Sequence, residues 1–455
     1  MPVALRGFNI SMTLSSSHRK PHIVILGAGF GGIYTFLNLR RRLSPQEADI
    51  TIINRTNYFL FTPLLHEVAT GGLSHHQVVE AIRSIIYKRG AVLHVAEIRN
   101  IDTRNKTVET SVGPVPYDIL VIATGATSEF HGIPGAPEKT FVLKNLNDAI
   151  KIRNRFIDAF EKAVEIKDHQ ERRKLLTFVI VGGGATGVEL AAEMTDLFFD
   201  TFRKFFCGKI PMEDVTIHLI TGDTELLRNF HGKMRARAKV ILSQKGVNVR
   251  TGARVLVVDE NGVSLNDGSR IESKHVLWLA GVSPNVPPSD KPFTRNSIAD
   301  ELATGKIASK IAGRIIVDRQ MKARGHENIY ALGDVATFED EFLPMHAQTA
   351  VQAARVVAQN IFAEIYSEMR SEDGKRREKP GEKRNGFYYR SAGDLVSLGQ
   401  WQAVGYFLKI LWVGPLAWFI WRTVYLFKFA SWSKRVKIAV DWTIDIFYPR
   451  DITRA

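Results

Sequence analysis

One cysteine, Cys207, stands in a chain of 455 residues. A single thiol excludes an internal disulfide and any Cys-x-x-Cys redox or zinc motif, so redox chemistry here needs a borrowed cofactor, and no metal site is expected. A reducing compartment fits. An apolar run of membrane-spanning length is also missing: near the C-terminus the longest uncharged run lies between Lys409 and Arg422, well short of the roughly 18 to 20 residues a spanning helix needs. The first twenty residues contain no acid and no apolar core of secretory-signal length, and residues 1–20 read as a tail. Acidic side chains are in short supply overall, with 47 Asp+Glu against 61 Lys+Arg and a formal net charge of +14. That excess favours a polyanion, either nucleic acid or the anionic face of a membrane. The signatures of the common RNA modules and of zinc fingers are absent, which disfavours a nucleic-acid partner.

Two short stretches are rich in glycine, each between a strand and a helix. HIVILGAGFGGIYTFLNLRRRL opens with an apolar run of strand length and turns through Gly27-Ala28-Gly29-Phe30-Gly31-Gly32. It continues with Ile33, Phe36, Leu37 and Leu43 near helical spacing. In such a unit Gly27 permits the tight turn, Gly29 lets backbone approach a pyrophosphate, and Gly32 lets the helix lie close to the strand with its N-terminus facing the phosphates. LLTFVIVGGGATGVELAAEM repeats the arrangement with Gly182, Gly184 and Gly187, and its helix carries Glu189 and Glu193. Two units imply two dinucleotides. Such folds usually close the second strand on an acid for the ribose hydroxyls; here those strands end at Asn54 and Thr221, with Asp223 near the latter. An asparagine bonds hydroxyls without charge, and the choice between NADH and NADPH stays open.

Between the units an apolar strand closes on Ala123-Thr124-Gly125, and a later one closes on Gly333-Asp334. Together with paired glycine turns these are what a two-dinucleotide flavoprotein needs: Asp334 would accept from ribityl hydroxyls and the Gly-Asp turn would bring backbone to the pyrophosphate. The plainer reading of Asp334 is a helix N-cap.

At this point the chain resembles the two-dinucleotide-binding flavoprotein reductases, and more narrowly the type II NADH:quinone oxidoreductases. NYFLFTPLLHEVATG (Asn57 to Gly71), LPMHAQTAVQAARVVAQNI (Leu343 to Ile361) and the tail DWTIDIFYPRDITR carry the narrower likeness. The resemblance implies FAD held by the first unit, with contacts at Gly27, Gly29, Phe30, Gly31, Gly32, Asn54, Arg55, Pro63, Ala123, Thr124, Gly125, Gly333, Asp334, Ala347 and Gln348. It implies NADH or NADPH at Gly182, Gly184, Gly187, Thr221 and Gly281, and a quinone as acceptor. Glu189 would lie between nicotinamide and flavin. Gln348 and Gln352, four apart and so on one helix face, would hydrogen-bond a quinone carbonyl without adding charge to an apolar pocket. His346 and Glu189 are the candidate proton donors. One departure stands out: members often carry Lys before Gly393, where this chain has Ala392.

The expected fold is α/β, two Rossmann-like dinucleotide-binding domains, one inserted in the other, plus a C-terminal α-helical membrane-surface anchor. The FAD-binding domain is placed at residues 21–150 and 290–385, the NAD(P)H-binding domain at 151–289, and the anchoring region at 386–455. The polar stretch RSEDGKRREKPGEKRN reads as a solvated loop. In the anchor, Trp412, Trp418, Trp421, Tyr425 and Trp432 would supply interfacial rings, while Arg422, Lys428, Lys434 and Arg435 would carry charge to headgroups. A second segment puts Val436, Val440, Ile444 and Phe447 on one helical face and Lys437, Asp441 and Asp445 on another. The expected partners are a membrane quinone, an anionic bilayer surface at the cytoplasmic face of the inner membrane, and a second copy in a homodimer. The alternative is a soluble flavoprotein reductase passing electrons to a ferredoxin-like protein.

Overall fold

The computed structural model describes residues 19–291, 293, 313–373, 385–429 and 432–454. Residues 1–18 of the expected tail and 374–384 of the expected polar loop lie outside those residues, while Arg370 to Asp373, expected in that loop, continue a long helix instead. Along the chain the first unit runs through β1 (His22–Leu26), α1 (Phe30–Arg40), β2 (Asp49–Asn54), α2 (Leu65–Ala69), β3 (Ala91–Val95) and β4 (Ile119–Ile122). Helix α3 (Leu146–Glu165) leads into the second unit, formed by β5 (Thr177–Val181), α4 (Ala185–Thr195), β6 (Thr216–Thr221), α5 (Gly232–Gln244), β7 (Asn248–Thr251) and β8 (His275–Trp278). The chain then returns to the first with β9 (Ile329–Ala331) and α6 (Ala347–Asp373). The tail comprises β10 (Asp394–Ser397), β11 (Ala403–Phe407), β12 (Ile410–Val413), α7 (Pro415–Phe427) and α8 (Trp432–Phe447).

Each unit is built on a parallel sheet, in the orders β9-β4-β1-β2-β3 and β7-β6-β5-β8. Strands covered on both faces must be apolar throughout, and Ile119 to Ile122 and Thr177 to Val181 are buried at every position. The first sheet is completed by β9, which arrives after the whole second unit. Two antiparallel strands, Ala126–Ser128 and Val282–Pro284, pair where the chain crosses between units.

The tail differs from the expected pair of surface helices. Trp412 lies in β12, part of a three-stranded antiparallel sheet, and Gly414, at φ +78°, turns the chain into α7 with Pro415 at its start. A proline there lacks only an N–H that no helix would use. Trp418 and Trp421 are 1% and 0% exposed, so they pack inward and do not form an interfacial belt. The outward face carries Leu416, Phe419, Val424 and Phe427. A helix apolar all round gives no sign of which face will be covered; here Trp401 and Arg422 lie against Trp418, and His66 and Trp442 lie against Trp421.

The cations are also used differently. Arg422 lies 3.8 Å from the Trp418 ring and 4.9 Å from that of Trp442, and donates to the Trp442 carbonyl at 3.1 Å. Arg435 donates to the carbonyl of Phe429 (2.7 Å), Lys434 to that of His76, and burial holds Lys428 below the usual ammonium range. Arg435 and Lys434 thereby satisfy carbonyls that follow a helix end or lie in a loop. In α8, Val436, Val440 and Ile444 are about half exposed and Phe447 is 76% exposed, while Ile438 and Trp442 face inward. The Asp445 side chain lies outside the described residues. Among those described, no helix is long and apolar enough to cross a membrane.

Candidate functional site

Both glycine turns form open cradles. A Cβ on Gly27, which has φ +93°, would sit 2.5 Å from the Ala123 carbonyl oxygen, and one on Gly32 would sit 1.9 Å from that of Gly27. Gly182 (φ +129°) and Gly187 repeat these two contacts in the second unit, against Leu279 and the Gly182 oxygen. In front of Gly29 and Gly184 nothing lies within 4 Å. These two residues are the N-caps of α1 and α4, neither has a side-chain cap, and neither helix carries an acid in its first turn. Free N–H groups at a helix start with space ahead of them suit a pyrophosphate. The residues therefore fit two dinucleotides.

Around the first cradle, a cleft of about 240 Å³ is lined by Gly27, Asn54, Arg55, Thr124 and Asn285 among others. Asn54 turns inward: its Oδ1 accepts from the Ala28 N–H (3.0 Å) and its Nδ2 donates to the Thr56 carbonyl (2.9 Å). It orders the turn rather than presenting a free amide to a ribose. Thr221 does the same in the second unit, packing against Gly183 and accepting from the Asp223 N–H at 3.3 Å. Thr124 donates to the Asn285 carbonyl at 2.6 Å, which ties Ala123-Thr124-Gly125 to the crossing strand. Phe30 packs edge-on against Phe59 and Phe61, and Pro63 begins a short 3-10 turn after them.

Gly333 and Asp334 form a 3-10 turn against the start of α6, with Gly333 at φ +77°. Burial raises the Asp334 pKa, and Lys144 and Arg314 pull it back. Neither cation was singled out from the sequence. Arg314 is buried, donates to the Leu343 carbonyl at 2.8 Å and keeps a second guanidinium nitrogen without a partner among the described residues. Gly281, at φ +93°, leaves room for His131 at the crossing.

Glu189 lies on a buried stripe of three acids. Glu189, Glu193 and Asp196 fall four and three residues apart, hence on one face of α4 and its π-helical continuation. Two have cations: Arg450 pairs with Glu193, and Lys245 pairs with Asp196, which also accepts from the Gln400 N–H at 2.6 Å. Glu189 has none. It accepts from the Ser397 N–H at 3.2 Å, and its other oxygen lies 3.7 Å from His66 Nδ1. The Trp421 indole N–H is near the same carboxylate but not aligned for a full hydrogen bond. Burial drives Glu189 up to about 8, against the pull of the Ser397 N–H, whereas burial holds His66 down at about 4. The pair is therefore a neutral acid beside a neutral imidazole at pH 7. Sequence reasoning passed over His66, Glu67 and Arg450, although all three lie in segments already singled out for their family likeness.

The glutamines divide. Gln352 has both ends engaged by Arg390, donating to its carbonyl (2.7 Å) and accepting from its N–H (3.2 Å), so it braces the chain there. Gln348, next to Ala347 at the start of α6, accepts through Oε1 from the Tyr389 hydroxyl (2.9 Å) and the Ala392 N–H (3.0 Å). Its Nε2 has no partner among the described residues, and is the free donor.

Comparison with known proteins bears on these features. The family model described as pyridine nucleotide-disulphide oxidoreductase matches residues 21–354, and the NDH2 C-terminal domain model matches residues 392–451. The chain is 30% identical over 441 residues to the type II NADH:quinone oxidoreductase Ndh of Mycobacterium tuberculosis, covering 95% of this chain and 89% of that protein. It is 28% identical to a mitochondrial external alternative NADH-ubiquinone oxidoreductase of Yarrowia lipolytica, over 98% of this chain and 83% of that one. In fold it is similar to NDH2 from Plasmodium falciparum solved with NADH, at TM-score 0.79 and 22% identity over 96% of this chain and all of that one. It is also similar to a sulfide:quinone oxidoreductase from Aquifex aeolicus, at TM-score 0.68 and 20% identity over 94% of this chain and 96% of that one.

Proposed function

This chain belongs to the type II NADH:quinone oxidoreductase family, and from that premise we propose how its residues divide the work of NAD(P)H:quinone oxidoreduction. The enzyme is an FAD-dependent NADH dehydrogenase that reduces a quinone and pumps no protons. FAD supplies the two-electron chemistry, accepting a hydride from the nicotinamide and giving two electrons to the quinone. The protein supplies position and electrostatics.

The FAD-binding unit is residues 21–150 with 290–385, and the nicotinamide unit is 151–289. Gly29 and the α1 N-terminus hold one pyrophosphate, with Asp334 on the ribityl hydroxyls; Gly184 and the α4 N-terminus hold the other. Glu189, neutral at pH 7, faces the place where the two rings meet and can donate a hydrogen bond there without bringing charge. Gln348 offers Nε2 to a quinone carbonyl. Residues 386–455 rest on a lipid surface through the outward faces of α7 and α8, at the cytoplasmic face of the inner membrane, and a homodimer would present two such surfaces together. Four exposed apolar residues on each helix support this placement, since apolar side chains left in solvent on both helices call for a cover.

The observation that carries the reading is the pair of open cradles in front of Gly29 and Gly184. The test is absorbance of the purified protein, then steady-state oxidation of NADH and NADPH with a short-chain quinone, with and without anionic liposomes. Yellow protein, quinone-dependent turnover and stimulation by liposomes are expected. Colourless protein overturns the reading, and turnover with a ferredoxin-like acceptor but no lipid binding favours the soluble alternative.

A further inference from the structure

Reducing a quinone to a quinol consumes two protons, and a chain of hydrogen bonds ends on the glutamine assigned to the quinone. His346 precedes α6, and its Nδ1 accepts from the Thr349 backbone N–H at 3.3 Å and lies 3.1 Å from the Thr349 hydroxyl. A ring nitrogen that accepts a backbone N–H carries no proton in the neutral imidazole, so the proton is on Nε2. Nε2 lies 3.3 Å from the Tyr389 hydroxyl, and that hydroxyl donates to Gln348 Oε1 at 2.9 Å. The donors thus run in one direction, from His346, which keeps an edge in solvent, through Tyr389 to Gln348. Ala392 touches the same Gln348 oxygen only through its backbone N–H, so no ammonium stands at that position.

We propose that Tyr389 is the proton donor to the quinone oxygen on the Gln348 side, and that His346 restores its proton from solvent. The proposal rests on the quinone reading above. The Tyr389 hydroxyl and the free Nε2 belong to the two ends of one amide, so a quinone carbonyl held by that nitrogen would be brought to the tyrosine's side of Gln348. A quinone reduced by the two electrons that NADH supplies carries a phenolate oxygen, so transfer from a phenol is close to balanced. The Tyr389 O–H bond breaks as the quinol O–H bond forms. His346 first takes a proton from hydronium or a buffer acid in solvent to become the imidazolium, then gives its Nε2 proton to the tyrosinate, and the neutral ring regains its Nε2–H form by exchange with solvent.

Other groups face the pair. Burial and then the Lys428 ammonium at the end of α7 hold His346 below the usual imidazole range. Burial raises Tyr389, with the Ser391 hydroxyl opposing and the Asp394 carboxylate adding to it. A phenol kept protonated by its surroundings suits a donor.

Tyr389→Phe keeps the ring and removes only the hydroxyl. Oxidation of the NADH-reduced enzyme by a short-chain quinone, followed in a single turnover, should slow at least about tenfold and lose its solvent deuterium isotope effect, while flavin reduction by NADH is unchanged. His346→Asn, which still caps α6 but cannot titrate, should flatten the pH profile of the quinone step. As a readout apart from turnover, the His346 Cε1–H resonance should titrate at a different pH in Tyr389→Phe than in the wild type. An unchanged quinone step and pH profile in Tyr389→Phe overturn the proposal alone, as does equal slowing of both half-reactions, which marks a merely structural role. A wild-type protein that reduces no quinone overturns the underlying reading as well.

Discussion

Glu189 owes its proton to burial with no cation beside it among the described residues. Glu193 and Asp196 have Arg450 and Lys245, while His66, 3.7 Å from Glu189, is itself kept neutral by burial. A carboxyl whose pKa is raised in the folded chain binds its proton more tightly there than when unfolded. Its contribution to stability is therefore complete below the unfolded value of about 4.5 and is lost as pH rises toward about 8. Glu189→Gln should escape that loss. Its midpoint in urea, compared with wild type between pH 5 and pH 8, should move in its favour as pH rises; parallel curves would mean that Glu189 is ionised throughout. The same substitution keeps a hydrogen-bond donor in place, so flavin reduction should survive it better than Glu189→Ala. Of this arrangement the position of Glu189 was legible, from its place after a glycine turn. Its protonation was not, because that depends on which of three acids receives a cation from distant parts of the chain.

At the scale of elements, the C-terminal strand of residues after α8 is a latch. Gly71, at φ +71°, and Gly72 let Asp451 and Arg450 lie against the end of α2. Arg450 reaches the carbonyls of Thr70 and Glu193, each at 3.3 Å, as well as the Glu193 carboxylate. Arg153 of α3 holds the Asp451 carbonyl at 2.9 Å. Removing one partner of a buried pair leaves an unpaired charge, at a cost of about 3 to 5 kcal/mol. Arg450→Met should lower stability by that order in denaturant unfolding of the flavin-loaded enzyme, and Arg454→Met, on an exposed side chain, should change it little. Helix α7 shows a second element-level effect. Its tryptophans were expected outward because indoles favour a lipid interface, yet Trp401, His66 and Trp442, from other parts of the chain, pack against them. The ring of Phe61 stacks on Phe429 at 4.1 Å and Tyr34 bonds the Lys428 carbonyl at 2.8 Å, so the tail is fastened to the first unit by its far end also.

At the scale of the molecule, two neighbouring helices leave apolar side chains in solvent: Leu416, Phe419, Val424 and Phe427 on α7, and Val436, Val440, Ile444 and Phe447 on α8. With the basic excess this fits binding by area and by attraction to anionic lipid. Phe427→Asp with Val436→Asp should weaken sedimentation with anionic vesicles by about tenfold or more, since burying one such side chain contributes about 1.5–3 kcal/mol. Thermal unfolding should be nearly unchanged because both positions are exposed. Equal binding of the variant would place the lipid contact elsewhere on the molecule.

From the order of residues alone came the two strand-turn-helix units, the Gly-Asp turn and the apolar tail, because each is set by local rules: a glycine where a side chain cannot fit, a run that must be covered on both faces. Tertiary structure alone decided which face of α7 is covered, that Asn54 and Gln352 are engaged within the chain, that Glu189 keeps its proton, and that Tyr389 links His346 to Gln348. Each of those depends on a group tens to hundreds of residues away, and the spacing along a chain does not say what a side chain will meet across it.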